Sequence, residues 1–356
     1  MSKILSVLPI LFVPALLMGS RSIPTSIFPG ESSQQDNSQT EAQAKITAHS
    51  DLVVLPVTVK DRNGHLVPGL QQNDFRVLDD NVEQSLDVFT AEAFPLSIVA
   101  LIDDDLRSID AEQVASSLQA IAAGISSNDE ALICRFDLKF YPGEGFTNDP
   151  DKLTAEIKIA QDHSKPSTAP PVPWVISPSA HPRGVGEPSV AAAPTNLGRA
   201  PTKSLDDAVY ASVELLKSRS IVRRKIILLI SDGENGKQFN HYTYEDTVAA
   251  LLRSNVSLYS LAVGGKSFHR KFSRLFAYAN DTGGDIYYSA KRGTLERLYA
   301  QIAEQARHEY TLAYRPRGND LHSTYHVVKV LTTRDGFLVK TRPGYYTTPV
   351  QNIPER

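Results

Sequence analysis

The sequence predicts an α/β fold in which a doubly wound, mostly parallel sheet is inserted into a small β-sandwich-like module. Strands alternate with helices from residue 94 to 306, and the strand "KIILLIS" is apolar on both faces, as expected where helices cover both sides of a sheet. Residues 51–92 and 307–347 instead show the alternation and turn signals of antiparallel strands. We therefore expect the N-terminal and C-terminal strands to pack together as one module.

The N-terminus predicts export. Residues 1–22 combine a positive charge at Lys3, an apolar run from Ile4 to Met18 and small residues after it, which is the pattern of a secretory signal peptide. The apolar run is shorter than the roughly 20 residues that a membrane span needs. The expected location is periplasmic, cell-surface or secreted, with no membrane span after cleavage. Retention of the segment as an anchor is the alternative.

Composition limits the classes of function. Of the 356 residues, 41% are hydrophobic, which is enough for a core, and the net charge of -3 gives no general attraction to nucleic acid. Cys134 is the only cysteine, so no internal disulfide forms, and its alternating strand predicts a small buried hydrophobe. The sequence contains no pattern that pairs a nucleophile with a base, and we predict that the chain is not an enzyme.

The elements follow in order along the chain. Residues 23–49 are rich in Ser, Gln, Thr and Pro and predict a disordered linker, after which a strand alternates from Val53 to Val59 and turns at Asn63-Gly64. In the α/β unit, periodicity predicts strands at 97–102, 131–136, 225–231, 257–263 and 285–289. It predicts helices at 110–123, 205–216, 244–253, 269–280 and 294–306.

A proline-rich insertion interrupts this unit. Residues 163–202 hold nine of the 22 prolines, and this density excludes a helix or a central strand. One interpretation is a binding loop, in which Trp174 and Arg199 contact a partner and proline restricts the free chain. The other is a disordered insertion.

Acidic residues follow two of the predicted strands. Asp103-Asp104-Asp105 end the first strand of the α/β unit, and Asp232 follows "KIILLIS", with Glu234 close behind. In open α/β sheets, ligands bind outside the carboxyl ends of the strands. Clustered carboxylates need a cation or protonation, and oxygen ligands alone suit Mg²⁺ or Ca²⁺.

At these segments the chain resembles the von Willebrand factor A (VWA) family. The landmarks "IVALIDDDLRS", "SLDDAVYASVELL", "KIILLISDGEN", "VSLYSLAVGG" and "LFAYANDTGGDIYYSAKRGTLERLY" occur in the family's order. Residues 51–347 as a whole resemble exported bacterial VWA-related proteins. The resemblance implies a VWA-like, Rossmann-type fold and a function in protein binding or adhesion.

The resemblance also implies a metal ion-dependent adhesion site, from which this sequence departs. The family places Asp-x-Ser-x-Ser after the first strand, a Thr before a helix and an Asp after the central strand. Asp103 matches the first Asp and Asp232 the last. Asp105 stands at the first Ser and Arg107 at the second. Lys203 falls at the Thr position, with Thr202 one residue away.

Three hypotheses for this corner remain open. Arg107 or Lys203 replaces the metal, since neither side chain can ligate a cation. Alternatively, Mg²⁺ or Ca²⁺ binds at a distorted site, or the acids are merely solvated at helix starts. The metal ligands of the second hypothesis would be Asp103, Asp105, Asp232 and Thr202.

The predicted function is that of an exported, non-enzymatic module that binds an unidentified protein partner and not nucleic acid. In a metal-competent relative, a partner carboxylate completes the metal shell. Here Arg107 or Lys203 could meet that carboxylate directly. A structural scaffold of the cell envelope is the alternative.

Overall fold

The computed structural model describes residues 52–106, 108–163, 203–264, 274–289, 292–317 and 325–347. Within these ranges, no helix is long and apolar enough to cross a membrane. The predicted signal peptide, the linker and all but the first residue of the proline-rich insertion lie outside the described residues.

A six-stranded sheet forms the centre of the α/β unit. Its order is β10-β9-β8-β5-β6-β7, and all neighbours are parallel except β6 and β7. Counted from β5, this is the doubly wound order 3-2-1-4-5-6. The strands are β5 Leu96–Asp103, β6 Glu130–Phe136, β7 Phe140–Tyr141, β8 Arg224–Ser231, β9 Val256–Val263 and β10 Ile286–Ser289.

Helices cover both faces of this sheet, and the predicted fold class is confirmed. In β5, Ile98 and Ala100 face one hydrophobic core while Val99 and Leu101 face the other, so the whole strand is buried. The first core is closed by α1 Ser108–Ser117, α2 Gln119–Gly124, α3 Pro150–His163 and α7 Arg292–Arg307; the second by α4 Leu205–Lys217, α5 Tyr244–Arg253 and α6 Arg274–Thr282.

One local prediction was wrong, and one helix was missed. The helix expected at 110–123 is divided at Leu118, where hydrogen bonds to the third preceding residue replace the α-helical pattern: Leu118 N–H donates to Ala115 O at 3.4 Å, and Ile121 N–H to Leu118 O at 2.9 Å. Helix α3 was not predicted at all. Its apolar residues Leu153, Ile157 and Ala160 follow helical spacing, so the signal was present in the sequence.

The remaining strands form two antiparallel sheets that share one hydrophobic core, as in a β-sandwich. The N-terminal β1 pairs with the C-terminal β11, with Val53 opposite Tyr314, and β2 pairs with β12. The α/β unit therefore lies between the two halves of the sandwich in the sequence. Its strands are β1 Val53–Lys60, β2 Phe75–Asp79, β3 Val82–Gln84, β4 Val88–Thr90, β11 Tyr310–Tyr314, β12 Tyr325–Thr332, β13 Leu338–Lys340 and β14 Gly344–Tyr346.

Buried charged residues join the sandwich to the α/β unit. The Arg342 guanidinium donates to Val54 O of β1 at 2.8 Å, and to Leu252 O and Asn255 Oδ1 of the α/β unit at 3.3 and 2.6 Å. Burial lowers the pKa of Arg342 to about 10, so the side chain still carries its charge at neutral pH.

Glu309, which lies between the end of α7 and the start of β11, forms a second junction between the sandwich and the α/β unit. Its carboxylate accepts from Arg224 at 2.7 Å, from the Thr58 hydroxyl at 3.2 Å and from the Tyr259 hydroxyl. Only 3% of the Glu309 side chain is exposed, so this carboxylate depends on these donors in place of water.

The Gly283-Gly284 turn leaves no room for a side chain. A Cβ atom on Gly284 would lie 2.0 Å from Leu258 O, whereas one on Gly293 in α7 would meet nothing within 4 Å. We expect Gly284→Ala to lower the free energy of unfolding by about 3 kcal/mol, because the backbone must move. Gly293→Ala should not lower the free energy of unfolding. Urea unfolding of both variants measures this, and equal stabilities would contradict the packing of the turn.

Candidate functional site

The candidate site lies where the strand order of the central sheet reverses. Asp103 is the last residue of β5, Ser231 is the last residue of the neighbouring β8, and Asp232 follows it. This is the position at which doubly wound sheets bind ligands. The fold thus brings together the two acids that match the family motif.

Lys203 bridges these acids. Its Nζ lies 2.7 Å from Asp103 Oδ2 and 2.8 Å from Asp232 Oδ1, and only 1% of its side chain is exposed. The backbone is fixed as well, because Gly236 N–H donates to Lys203 O at 2.9 Å. The Ser231 hydroxyl adds a 2.6 Å hydrogen bond to Asp103 Oδ2. Charge-assisted hydrogen bonds of this kind are short and strong.

The protonation states follow from burial and charge. Burial raises the pKa of Asp103 to about 6, against the pull of the Lys203 ammonium. Burial opposes the charge of Lys203, but the Asp103 and Asp232 carboxylates outweigh it and raise the pKa of the ammonium. Lys203 therefore stays charged at neutral pH and supplies the positive charge between the two acids.

A divalent cation does not fit this arrangement. Mg²⁺ and Ca²⁺ require six or more oxygen ligands, and an ammonium already lies within hydrogen-bond distance of both Asp103 and Asp232. The Asp105 backbone N–H donates to Asp103 Oδ1 at 3.0 Å, so both oxygens of the Asp103 carboxylate already accept hydrogen bonds. Among the residues with described positions, the Asp103, Asp105 and Asp232 carboxylates do not converge as a three-ligand group.

The other predicted site residues lie outside the described residues. These are Arg107, Thr202, Trp174 and Arg199. The Lys203 ammonium is buried and contacts Asp103 and Asp232, so the structure does not expose it to a partner carboxylate.

Two acids at the start of α4 hold the loops around Lys203 and were not predicted as site residues. Asp207 accepts the backbone N–H groups of His241 and Tyr242 at 2.8 Å each. Asp206 accepts from the Tyr278 hydroxyl at 2.6 Å and from the Asn235 amide at 2.7 Å. The loop that follows Asp232 is thereby tied to the helix that follows Lys203.

Asp104 forms a separate ion pair beside this corner. Its Oδ2 accepts from Arg135 Nη1 at 2.6 Å, and the guanidinium lies over the Tyr141 ring, 5.1 Å from its centroid. Arg135 is the one basic residue of the otherwise largely apolar β6. This was the sequence signal for the pair, but recognising it requires that β6 neighbour β5.

The stability of the protein should depend on the pKa of Asp104. Burial raises this pKa from 3.8 to about 6, against Arg135. The folded state holds the Asp104 proton more tightly than the unfolded state does. The contribution of this proton to the free energy of unfolding is therefore complete below about pH 4 and is lost as pH rises through about 6.

Asp104→Asn has no such proton equilibrium. Relative to the wild type, its free energy of unfolding should therefore rise by about 3 kcal/mol between pH 4 and pH 7, added to any constant cost of losing the Arg135 bond. Urea unfolding at several pH values measures the difference. A difference that does not change with pH would contradict the raised pKa.

A second group of metal-binding residue types lies in the sandwich. One ligand atom each from Asp79, Asp80 and His326 lies within 4.8 Å of the others. Their hydrogen bonds give them a structural role: Asp79 Oδ2 accepts from Tyr314 and Tyr345 at 3.0 and 2.9 Å, and His326 Nδ1 lies 2.7 Å from Asp80 Oδ2. These contacts join the β2–β3 region to β11, β12 and β14.

No protein-family model and no curated protein matches the sequence. Among solved structures, the fold is similar to a von Willebrand factor type A protein from Catenulispora acidiphila, with 9% identity over 84% of this chain and 75% of that one, and a TM-score of 0.43. Manganese-loaded TRAP protein from Plasmodium vivax shows 11% identity over 75% of this chain and 95% of that one, with a TM-score of 0.40.

The conserved hypothetical protein BatB from Bacteroides thetaiotaomicron shows 12% identity over 59% of this chain and 98% of that one, with a TM-score of 0.38. Because all three TM-scores lie below 0.5, the fold assignment depends on the sheet order and the two helix layers. By that architecture, the described residues form a doubly wound, Rossmann-type α/β unit inserted into an antiparallel β-sandwich.

Proposed function

We propose that this chain is an exported, non-enzymatic protein-binding module of the VWA type in which Lys203 replaces the divalent cation. The observation that carries the proposal is the position of Lys203 Nζ, which is within 2.8 Å of both Asp103 and Asp232. Export is proposed from the signal-peptide pattern of residues 1–22. The partner is an unidentified protein.

The energetics support a lysine in this role. A buried carboxylate without a counter-charge costs several kcal/mol, and the corner contains two within contact of one ammonium. An ammonium offers three donors, enough for Asp103 and Asp232 together. Because this cation is covalently part of the chain, partner binding should be insensitive to chelators.

The state of the only cysteine supports a non-enzymatic role. Cys134 is completely buried, and burial raises the pKa of its thiol to about 12. The thiolate that a nucleophile needs is therefore absent at neutral pH.

Calorimetry with Mg²⁺, Mn²⁺ and Ca²⁺ tests the replacement. We expect no saturable heat for the full-length wild type and new metal binding in Lys203→Thr, which restores a hydroxyl at the family's Thr position and frees Asp103 and Asp232. Micromolar binding by the wild type that is lost in Asp232→Ala would contradict the proposal and favour the distorted Mg²⁺ or Ca²⁺ site.

A scaffold role is the second candidate, and one observation on the sandwich favours it. Val327 and Leu331 on the outer face of β12 are 46% and 45% exposed, so the sandwich presents apolar side chains to its surroundings. Cross-linking of the native protein, compared with the double variant Val327→Thr and Leu331→Thr, distinguishes the two. Loss of cross-links in this variant supports the scaffold, whereas retention supports binding through the α/β unit.

A further inference from the structure

A cavity lies at the edge of the central sheet, beside the Asp104–Arg135 pair. It is enclosed by β6, by the loop after β7 and by α3, and we call it the α3 pocket. Its volume is about 230 Å³, below the roughly 300 to 1,000 Å³ of small-molecule sites. It therefore suits one side chain. The lining residues are Ile133, Arg135, Tyr141, Pro142, Gly143, Glu144, Glu156, Ile159 and Ala160.

The pocket has an excess of negative charge. Arg135 is already neutralised by Asp104 at 2.6 Å and covered by the Tyr141 ring. Glu144 and Glu156 also line the pocket, and Glu156 Oε2 is buried with no hydrogen-bond partner among the described residues. Burial raises the pKa of Glu156; the backbone N–H groups of Ile133 and Glu144 lower it, and the Glu144 carboxylate raises it, so the two carboxylates repel each other. A bound cation would relieve this repulsion.

The other walls are aliphatic. Ile133 and Ala160 are buried at the base, while Ile159 is 51% exposed at the rim of the same pocket. A hydrocarbon wall leading to carboxylates matches the shape of lysine and arginine, which lay a methylene stem along apolar surface and keep a cation at its end. A hydrated metal ion would make no use of these walls.

We infer that the α3 pocket binds one lysine or arginine side chain of a partner protein. The cation lies between Glu144 and Glu156, and the methylene stem lies along Ile159. This inference rests on the proposed function, since it names the chemistry of the partner. The pocket itself shares no residue with the Lys203 corner, so the two are tested separately.

A fluorescent peptide with a single arginine, and the same peptide with citrulline, test the pocket. Citrulline keeps the shape of arginine and removes the charge. Fluorescence anisotropy with the full-length chain should show binding of the arginine peptide and at least tenfold weaker binding of the citrulline peptide.

Glu144→Gln and Glu156→Gln should each weaken arginine binding about tenfold without lowering the melting temperature. Asp162→Asn is the matched control, because it removes an exposed carboxylate from the same helix without lining the pocket, and should bind as the wild type does. Equal affinity for the two peptides, no binding at all, or full binding by the Glu144/Glu156 double variant would overturn the inference. Saturable Ca²⁺ binding that displaces the peptide would do so as well.

Failure of the proposed function gives different results. Metal binding at the Lys203 corner, lost in Asp232→Ala, would refute the cation replacement and leave peptide binding at the α3 pocket intact. If the wild type binds no metal and does not bind the arginine peptide either, only the inference about the α3 pocket is refuted. The two experiments therefore fail independently.

Discussion

Lys203→Met is expected to lower the free energy of unfolding by about 3 to 5 kcal/mol at pH 7. Methionine keeps the length of the side chain but removes the ammonium that lies within 2.8 Å of two carboxylates. Asp103 is completely buried, so its charge would lose its main counter-ion without gaining water. Urea unfolding followed by circular dichroism measures the loss.

Lys217→Met is the matched control. Lys217 pairs with Glu214 on the surface of α4, where its side chain is 48% exposed, and the change should cost less than about 0.5 kcal/mol. Lowering the pH should reduce the deficit of Lys203→Met, since protonation of Asp103 removes the uncompensated charge. If both variants lose equally little, Lys203 does not neutralise the corner.

Glu309→Gln is also expected to lower the free energy of unfolding by about 3 to 5 kcal/mol, because here a buried positive charge would be left without its counter-ion. Glutamine can still accept hydrogen bonds from Thr58 and Tyr259, but Arg224, whose side chain is 10% exposed, would lose its counter-ion. Because these partners come from both the sandwich and the α/β unit, we further expect two unfolding transitions in the variant and one in the wild type. Calorimetry resolves them.

Glu304→Gln provides the comparison for this variant. Glu304 lies five residues earlier, is 58% exposed and pairs with Arg307 and His308 at 3.1 and 2.9 Å. Its loss should change stability by less than about 1 kcal/mol and leave one transition. A single transition of unchanged midpoint in Glu309→Gln would mean that the junction does not couple the two units.

The sequence was sufficient for features that depend on periodicity. The run "KIILLIS" predicted a strand covered by helices on both faces, and alternate residues of β8 do face the two cores. The sequence also indicated that Asp103 and Asp232 stand at the ends of two strands of one sheet. Neighbouring strands in a doubly wound sheet then bring such residues together.

Features that depend on loop geometry were beyond the sequence. Whether Lys203 reaches both acids depends on where its loop is held, and this is decided by contacts such as those of Asp207 with His241 and Tyr242. The α3 pocket joins Glu144 of a loop to Glu156 of a helix that was not predicted. Such pairs of residues carry no shared sequence pattern.

The pairing of β1 with β11 has a consequence for folding during synthesis. About 220 residues separate the end of β4 at Thr90 from the start of β11 at Tyr310. At about 5 to 20 residues per second, the ribosome needs roughly 10 to 45 seconds to make this stretch. Throughout that time the apolar edge of β1 has no partner strand and is open to aggregation. Newly made chains should therefore depend on a chaperone until residue 314 has emerged.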